Sequence, residues 1–547
     1  MKSHAPIGRD LASVAGKQPP IDESTDVLIV GAGLAGIAAA LTAAAGGGVR
    51  VTLVDENPVP LQTMGEDVPL HFGGRMAQTV ANRNAVLESF LRVRPQLGEA
   101  LEAGVDVRLG TAAWGLFPHR RTAGWIDGHV AGLADEDRVY LLRFKQVIVA
   151  AGCRDMGVAF DGWQRPGVMG ANAAYRLTSI YEALDSRTAV LLGGGTEALQ
   201  IGNALLDAGV RIAAVIEQAE AISGPVELLS RLVTSGARVF TRHIVQQTIG
   251  DPQGVAAVRL APIDGEGHRL SDSLERIECD TVVLGVAAIP AIELIEAAGC
   301  AVRFQPARGG HVAVIDGSQR SSLPFLYVAG DCAGVWPSKS LSDSTACREG
   351  RIAALAALRA LGAESGSAEE EPVSPDPPVR DVARERLEWV RAMTLESPVA
   401  PFVCQCEEVT AADIVRLNPP AYLHWTREGE SGRLGSVDPE AAPHPDVVKR
   451  LTRAGMGPCQ GRRCREQTAA LMALGTGTAL ADIPLATYRP PVRPLRLAQL
   501  AALPEVPDMA AQWDSWFGMP SQWVPFWRVP PAYTVAGRCT EEPAAGE

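Results

Sequence analysis

The sequence predicts an α/β protein with two Rossmann-like units and a separate, smaller C-terminal domain. Two stretches, beginning near residues 26 and 189, each show a strand, a glycine-rich turn, a helix and a second strand. This order is a βαβ unit. Residues 364–398, rich in proline and acidic side chains, predict a solvated linker to a cysteine-bearing segment at 399–480.

Length and composition narrow the class of protein. The chain has 547 residues, of which 47% are hydrophobic, and this predicts two to four packed domains. Its formal net charge of -13 argues against nucleic acid as a partner, because no basic stripe could neutralise phosphates. Ten cysteines are few for a disulfide scaffold, which favours a reducing compartment and a cytoplasmic location.

No membrane span or secretory signal is predicted. Residues 1–24 form a polar lead without the charged, apolar and cleavage regions of a signal peptide, in that order. The uncharged stretch from Val27 to Val49 is long enough to cross a bilayer. It is rich in glycine and alanine, however, and starts as a strand with glycines at phosphate-binding spacing. We therefore expect no transmembrane segment.

The first βαβ unit has the features of a dinucleotide site. It comprises a strand at Val27–Val30, a helix to about Ala45 and a strand at Val51–Val54. Between the first strand and the helix lie Gly31, Ala32, Gly33, Leu34, Ala35 and Gly36. Such glycines let a pyrophosphate approach the helix amino end. Asp55 is expected to bind a ribose, with Glu56 as the alternative. A glycine turn without a ligand is the competing interpretation.

The second unit repeats this pattern. A strand at Val190-Leu191-Leu192 leads into Gly193, Gly194, Gly195, Thr196, Glu197 and Ala198. Glu217 ends the next strand, and an acid there favours NAD over NADP. Gly193, Gly195, Glu197 and Glu217 are the candidate binding residues. A duplicated fold that has lost its ligand, or one that binds a plain adenine nucleotide, explains the pattern as well.

Two further turns carry a resemblance to the thioredoxin-reductase-like flavoproteins. They are Ala150-Ala151-Gly152 and Leu326-Tyr327-Val328-Ala329-Gly330-Asp331. The resemblance implies an FAD domain at 25–154 and 291–363, interrupted by an NAD-like domain at 155–290. It also implies that Ala151, Gly152 and Gly330 lie at the FAD and that Asp331 bonds its ribityl chain. Alternatively, Asp331 caps the following helix.

Dithiol chemistry is not expected, because the middle region has no Cys-x-x-Cys pair. The scattered cysteines are predicted to be small buried hydrophobes: Cys153, Cys279, Cys300, Cys332 and Cys347. No acid or base of catalysis can be named. The isolated histidines His71, His119, His311 and His424 are more typical of surface or structural positions.

Four other cysteines are candidate metal ligands: Cys404, Cys406, Cys459 and Cys464. The side chains of Cys404 and Cys406 can face one site only if the chain turns between them. Cys459 and Cys464 lead into a helix predicted from about Arg463, whose N–H groups stabilise thiolates. Four thiolates suit zinc or an iron–sulfur cluster, and spacing alone does not choose between them.

The surroundings of these cysteines resemble the bacterioferritin-associated-ferredoxin type of [2Fe-2S] domain. The resemblance is carried by Cys404-Gln405-Cys406-Glu407-Glu408-Val409-Thr410 and by the run from Arg453 through Gly457-Pro458-Cys459 to Cys464. It implies a small, mainly helical [2Fe-2S] domain at 399–480.

The order of domains resembles the α subunits of heteromeric amino-acid and opine dehydrogenases, such as octopine and nopaline oxidase, hydroxyproline dehydrogenase and hydrogen cyanide synthase. The supporting residues are Gly162-Trp163, Pro166-Gly167-Val168, Glu349-Gly350-Arg351 and Tyr488-Arg489-Pro490-Pro491. The resemblance implies an oxidoreductase acting on CH–NH donors, in which a flavin-bearing β subunit oxidises the amine. This chain, in some complexes with a small [2Fe-2S] ferredoxin-like subunit, passes the electrons on, and partners could bring it to the inner face of the membrane.

Two other functions fit the same domains. One is a self-contained NADH-dependent reductase that sends electrons out through its cluster. The other is a non-catalytic redox scaffold, for which the Pro- and Trp-rich tail at 481–547 would be a docking surface. That tail carries Trp513, Trp516, Trp523 and Trp527. Packing against the FAD domain would explain these tryptophans equally well.

Overall fold

The computed structural model describes residues 21, 23–58, 83–119, 126–270, 275–363, 370–378, 380–420, 422 and 444–503. Several predictions lie outside these residues: the lead at 1–20, the four tail tryptophans, His71 and His424.

The first Rossmann unit is built on a largely parallel sheet. Its elements are β1 (Glu23–Val30), α1 (Leu34–Ala45), β2 (Val51–Asp55), α2 (Arg83–Val93), α3 (Gln96–Glu102), β3 (Asp106–Leu109), β4 (Ala112–Phe117), β5 (His129–Ala134) and β6 (Val139–Val149). The strand order is β3-β2-β1-β6-β5-β4, with β1 parallel to both β2 and β6. Apolar residues of β1 are fully buried on both faces, as a central parallel strand requires. The predicted βαβ unit is confirmed.

A second α/β unit is inserted after β6. Its elements are β7 (Cys153–Asp155), β8 (Val168–Gly170), α4 (Ala171–Ser179), β9 (Thr188–Leu192), α5 (Thr196–Asp207), β10 (Arg211–Glu217), α6 (Val226–Thr234), β11 (Arg238–Thr241), β12 (His243–Asp251), β13 (Gly254–Pro262), β14 (Glu275–Glu278), β15 (Thr281–Leu284) and β16 (Ala288–Pro290). The parallel order is β11-β10-β9-β15-β8, and β12, β13 and β14 form an antiparallel sheet beside it. The chain leaves through β7 and returns through β16, which pair with each other.

The chain then completes the first sheet. The elements are α7 (Glu293–Ala297), β17 (Val302–Gln305), β18 (Gly310–Ala313), β19 (Leu326–Val328), α8 (Pro337–Ser340) and α9 (Asp343–Leu361). Strand β19 pairs in parallel with β6. Helix α9 packs closely on α1 because Gly350 has no side chain, and a Cβ there would lie 2.0 Å from the carbonyl oxygen of Ala35.

The C-terminal region is mainly helical. It contains α10 (Val382–Val390), β20 (Phe402–Cys404), β21 (Val409–Thr410), α11 (Ala411–Arg416), α12 (Pro445–Thr452), α13 (Arg465–Thr476) and α14 (Leu497–Ala501). One apolar cluster joins α13 to the inserted sheet, so that Met472 and Val190 belong to a single continuous core. The C-terminal region is therefore packed on the inserted domain.

Part of the predicted linker at 364–398 is a helix instead. Asp381 caps α10 by accepting hydrogen bonds from Ala383 N and Arg384 N. Trp389, only 1% exposed, packs in the core shared with α13. The prolines and acidic residues before Asp381 suggested a solvated segment, but the cap and the apolar residues after it form a packed helix.

Among the residues that the structure describes, no helix combines the length and apolar character needed to cross a membrane. The stretch from Val27 to Val49, considered above as a span, divides into part of β1, the glycine turn and α1.

Candidate cofactor sites

A cavity of about 530 Å³ lies between the first Rossmann unit, the inserted unit and the C-terminal region. It gathers most of the residues predicted for the first site: Gly31, Gly33, Leu34, Ala35, Asp55, Glu56, Ala151, Gly152, Gly330 and Asp331. Gly36 lies behind the turn, where a Cβ would be 1.8 Å from the carbonyl oxygen of Gly31. Its role is close packing of α1 on the strand.

The glycine turn at α1 has room for a pyrophosphate. An added Cβ at Gly33 would meet no atom within 4 Å, whereas at Gly31 (φ +108°) it would lie 2.2 Å from the carbonyl oxygen of Ala150. Gly33 provides no side-chain cap, and the first turn of α1 carries no acidic residue. The helix amino end therefore faces the cavity with N–H groups suited to an anion, and these residues fit FAD.

Two acidic side chains at the end of β2, Asp55 and Glu56, line this cavity. Asp55 accepts hydrogen bonds from Ala32 N at 2.6 Å and from Asn57 N at 2.8 Å, so it holds the glycine turn against the strand end. Glu56 forms ion pairs with Arg493 and, at 3.9 Å, with Arg176. Both carboxylates line the cavity, and either could accept a ribose hydroxyl.

The Gly330-Asp331 turn is fixed from behind by buried charges. Glu349 Oε2 accepts from Gly330 N at 2.8 Å, and Lys339 Nζ donates to Gly330 O at 2.7 Å. Asp331 itself points to the cavity, where its Oδ2 lies 3.4 Å from the Sγ of Cys153. The residue before the short 3₁₀ turn is Ala329, so Asp331 is not the N-cap that the alternative interpretation required.

The second glycine turn is built like the first but does not line this cavity. Glu217 Oε2 accepts from Gly194 N at 2.8 Å, which repeats the contact between Asp55 and Ala32. Glu217 is 2% exposed, and Gly193 is also buried. Glu197 lies in the first turn of α5.

The four candidate metal ligands come together. Strands β20 and β21 pair as an antiparallel hairpin, so the chain turns after Cys404, which meets the condition for Cys404 and Cys406 to face one site. The side chains of Cys404 and Cys464 are hydrogen-bonded to each other, and so are those of Cys406 and Cys459. Gly457 permits this approach, because a Cβ there would lie 2.3 Å from that of Cys406. Helix α13 begins at Arg465, immediately after Cys464.

Within this four-cysteine site, the hydrogen bond of each pair lowers the pKa of one thiol, Cys404 or Cys459, and raises the pKa of its partner, Cys464 or Cys406. A hydrogen bond from Cys406 lowers the pKa of Cys459, although burial opposes it; the backbone N–H of Arg463 and the charge on Arg462 act in the same direction as Cys406. The N–H of Gly455 lies 3.4 Å from the Sγ of Cys404. Within the described ranges, no three His, Cys, Asp or Glu side chains have the geometry of a site for a single metal ion. The thiols instead form two neighbouring pairs.

A short segment joins the cavity to the four-cysteine site. Arg462 and Arg463 lie between Cys459 and Cys464 in the sequence, and both also line the cavity. The guanidinium of Arg463 lies 5.1 Å from the ring centroid of Trp163, and Trp163 Nε1 donates to the carbonyl of Phe402 at 2.8 Å. The inserted unit thus contacts both halves of the cysteine site.

Arg154 anchors the same interface. It forms ion pairs with Glu293 at 2.5 Å and Glu466 at 3.2 Å, and it donates to the hydroxyl of Tyr488 at 3.2 Å. Arg154, Lys339 and the pair Arg462-Arg463 were not predicted from the sequence. Only the last had a local signal, since it lies between two candidate ligands.

Comparison with known proteins identifies the family. Residues 25–351 match the family described as pyridine nucleotide-disulphide oxidoreductase, and residues 444–503 match the sarcosine oxidase A3 domain. An opine oxidase subunit from Rhizobium meliloti is 30% identical over 513 residues, which covers 88% of each chain. The hydrogen cyanide synthase subunit HcnB from Pseudomonas aeruginosa is 26% identical, covering 80% of this chain and 90% of that protein.

A solved structure shows the same fold. The crystal structure of L-proline dehydrogenase from P. horikoshii has a TM-score of 0.56 at 20% identity, and it covers 88% of this chain and 81% of that one. The predicted resemblance to the opine oxidase group is confirmed. The chain therefore belongs to the pyridine nucleotide-disulphide oxidoreductase family, as a flavin-dependent oxidoreductase related to the opine oxidase subunits.

Proposed function

We propose that this chain is the FAD- and [2Fe-2S]-containing α subunit of a heteromeric amino-acid or opine dehydrogenase, in which it carries electrons from a partner flavin subunit to an acceptor. The observation that carries the proposal is the segment from Cys459 to Cys464. It contributes two thiols to the four-cysteine site and two arginines to the cavity of the first Rossmann unit.

The residues that line the cavity suit successive parts of FAD. The open space at Gly33 and the uncapped amino end of α1 suit the pyrophosphate. Asp55 and Glu56 suit the ribose, and Asp331 suits the ribityl chain. Cys153, Asp155 and Arg463 lie along the same cavity and would then face the flavin end.

The four-cysteine site fits a cluster with two irons. Such a cluster takes two thiolates on each iron. The pairs Cys404 with Cys464 and Cys406 with Cys459 provide that division. Zinc would need all four thiolates around one ion.

When bound, FAD exchanges electrons in pairs or singly and the cluster exchanges one at a time. The role of the chain would be to hold the two groups close together, with Cys404, Cys459 and Cys464 buried and Cys406 at the surface. Arg463 lies at their boundary, where burial lowers the pKa of its guanidinium to about 10 and the neighbouring thiols oppose that shift. At neutral pH Arg463 remains a cation, so it would stabilise added negative charge on the FAD or on the cluster.

The donor chemistry and partners follow from the relatives. The relatives are subunits of opine oxidase, hydrogen cyanide synthase and sarcosine oxidase. We propose that a β subunit with its own flavin oxidises the amine, and that a small ferredoxin-like subunit takes part in some assemblies. No acid or base for amine oxidation is assigned to this chain.

The test is the metal content of the purified chain and of Cys404→Ala and Cys464→Ala. We expect iron and acid-labile sulfide in equal amounts, about two of each in the wild-type chain, and their loss in both variants. Cys279→Ala is the matched control, since Cys279 is also buried but lies in the inserted unit.

Zinc in place of iron would overturn the cluster assignment while leaving the FAD site intact. Iron that survives in Cys404→Ala and Cys464→Ala as well as in Cys279→Ala would show that these cysteines are not the ligands. FAD content, measured on the same samples by its visible absorption, reports whether each variant is folded.

A further inference from the structure

The two glycine turns differ at the amino end of the following helix. In the first unit, the space at Gly33 is open and the first turn of α1 carries no acid. In the second unit, Glu197 stands in the first turn of α5, and its Oε2 is 3.9 Å from the Cβ position of Gly195. A helix amino end attracts one negative group. Here the chain's own carboxylate takes the place that a pyrophosphate would need.

Helix α8 holds that carboxylate. Ser340 Oγ donates to Glu197 Oε1 at 2.5 Å, and Gln200 Nε2 donates to the carbonyl of Ser340 at 2.9 Å. The first turn of α5 is therefore in contact with α8, a segment of the FAD-binding half of the chain. A dinucleotide lying across this turn would have to displace both hydrogen bonds.

The opposite side of the second turn is also closed. Gly224 N donates to the carbonyl of Gly194 at 2.8 Å, and a Cβ on Gly194 would lie 2.6 Å from the side chain of Ile222. Arg380 bonds the carbonyl of Ala221 and lies 3.5 Å from Glu217 Oε1. The acid that would bind a ribose is thus held by a cation of the same chain.

We propose that the second Rossmann unit binds no nicotinamide dinucleotide and serves instead as the surface on which α8 packs. Glu197 is then a positioning residue for the FAD site. Ser340 follows Lys339, and Lys339 donates to the carbonyls of Gly330 and Gly334. Contacts that hold Ser340 on α5 therefore hold the Gly330-Asp331 turn in the shape that receives FAD.

This inference rests on FAD binding in the cavity, but it does not depend on the cluster. Its first test is a titration of the holoenzyme with NADH, in which binding is measured by calorimetry and by the quenching of NADH fluorescence. We expect no binding tighter than about 1 mM. Dissociation constants in the micromolar range would overturn the proposal, whatever the iron content of the same sample.

Its second test is FAD retention, measured as the dissociation constant of FAD from the apoprotein. Glu197→Ala and Ser340→Ala are expected to weaken FAD binding by on the order of tenfold, because each removes a part-buried charge-assisted hydrogen bond. Glu197→Gln keeps an acceptor for Ser340 and should restore most of the affinity. Glu227→Ala, which removes an exposed acid from the first turn of α6, is the matched control.

The comparison separates positioning from helix stability. Both Glu197→Ala and Glu227→Ala lose a favourable charge at a helix amino end, so their effects on helix stability should be similar. If FAD binds Glu197→Ala and Ser340→Ala as tightly as it binds Glu227→Ala, the contact between Glu197 and Ser340 does not support the FAD site and the inference is wrong. Should Glu197→Ala not fold, Ser340→Ala decides alone, since it removes only a hydroxyl.

Discussion

Lys339 and Glu349 form an ion pair of 2.8 Å from which solvent is excluded, with side-chain exposures of 1% and 0%. Both partners also bond the backbone of Gly330, so the pair spans the turn that carries Asp331. Burial of two charges is costly unless each finds its partner and its hydrogen bonds. Here most of those bonds go to one turn, which makes the pair a fixed support for the FAD site.

Replacement of Lys339 by Met is expected to destabilise the chain by about 3–5 kcal/mol, because Glu349 would remain as an uncompensated buried charge. The FAD content should fall with it. Lys145→Met is the control, since Lys145 pairs with Asp26 at the same 2.8 Å distance but with 65% of its side chain exposed. That surface pair should contribute about 1 kcal/mol or less to urea unfolding. Equal losses in the two variants would contradict the buried support.

Gly33→Ala should fold but lose FAD. The new Cβ meets no protein atom within 4 Å, so the apoprotein should keep its stability, while the methyl group projects into the space assigned to the pyrophosphate. We expect a reduction of FAD affinity on the order of tenfold or more. Gly98→Ala in α3, where a Cβ also meets nothing, is the control. A Gly33→Ala chain that retains FAD like the control would place the pyrophosphate elsewhere.

His311 should make stability depend on pH. Burial and the charge of Arg386 lower its pKa to about 4, from an ordinary value of 6.5, and its Nε2 contacts the carbonyl of Ile483 at 3.0 Å. Between these two pH values the unfolded chain binds more protons than the folded chain. The stability that His311 contributes in its neutral form is therefore complete above about pH 6.5 and is lost as the pH falls toward 4.

The expected size of that loss is roughly 3 kcal/mol. Urea unfolding of wild type and His311→Gln from pH 4.5 to 8 measures it. The variant should have a flatter pH profile, whereas His268→Gln, at a half-exposed histidine, should keep the wild-type profile. A wild-type stability that does not rise between pH 4.5 and 6.5 would rule out this role for His311.

Arg154 is expected to hold the C-terminal region on the inserted unit. Arg154→Met removes the ion-pair partner shared by Glu293 and Glu466, both 8% exposed, and should cost about 3–5 kcal/mol. Thermolysin should then cut the C-terminal region faster. Arg276→Met removes a half-exposed pair with Glu278 and serves as the control. If the two variants are cut at the same rate, Arg154 does not anchor this interface.

The sequence predicted the elements with strong local signals. Apolar strands next to glycine turns located β1, β9 and the helices after them to within a few residues, because those signals are short in range. The turn between Cys404 and Cys406 was required by geometry and is present. Helix α10 was missed because the prolines before it masked a capped apolar segment.

Contacts between distant segments were not predictable in the same way. Lys339 stands ten residues before Glu349 but bonds it across a turn, and Ser340 meets Glu197 143 residues away. Each pairing depends on how the inserted unit is placed on the first sheet. No periodicity or spacing in a single sequence encodes that placement, so the closure of the second glycine turn emerged only from the fold.

The most direct test of the central claim is an anaerobic visible spectrum of the purified chain, recorded before and after NADH and then after dithionite. We expect flavin and iron–sulfur bands that stay oxidised with NADH and bleach with dithionite, because the proposed subunit receives its electrons from a partner. Bands that bleach promptly with NADH would contradict it and identify a self-contained reductase. A flavin spectrum without iron–sulfur absorption would contradict the two-cofactor account itself.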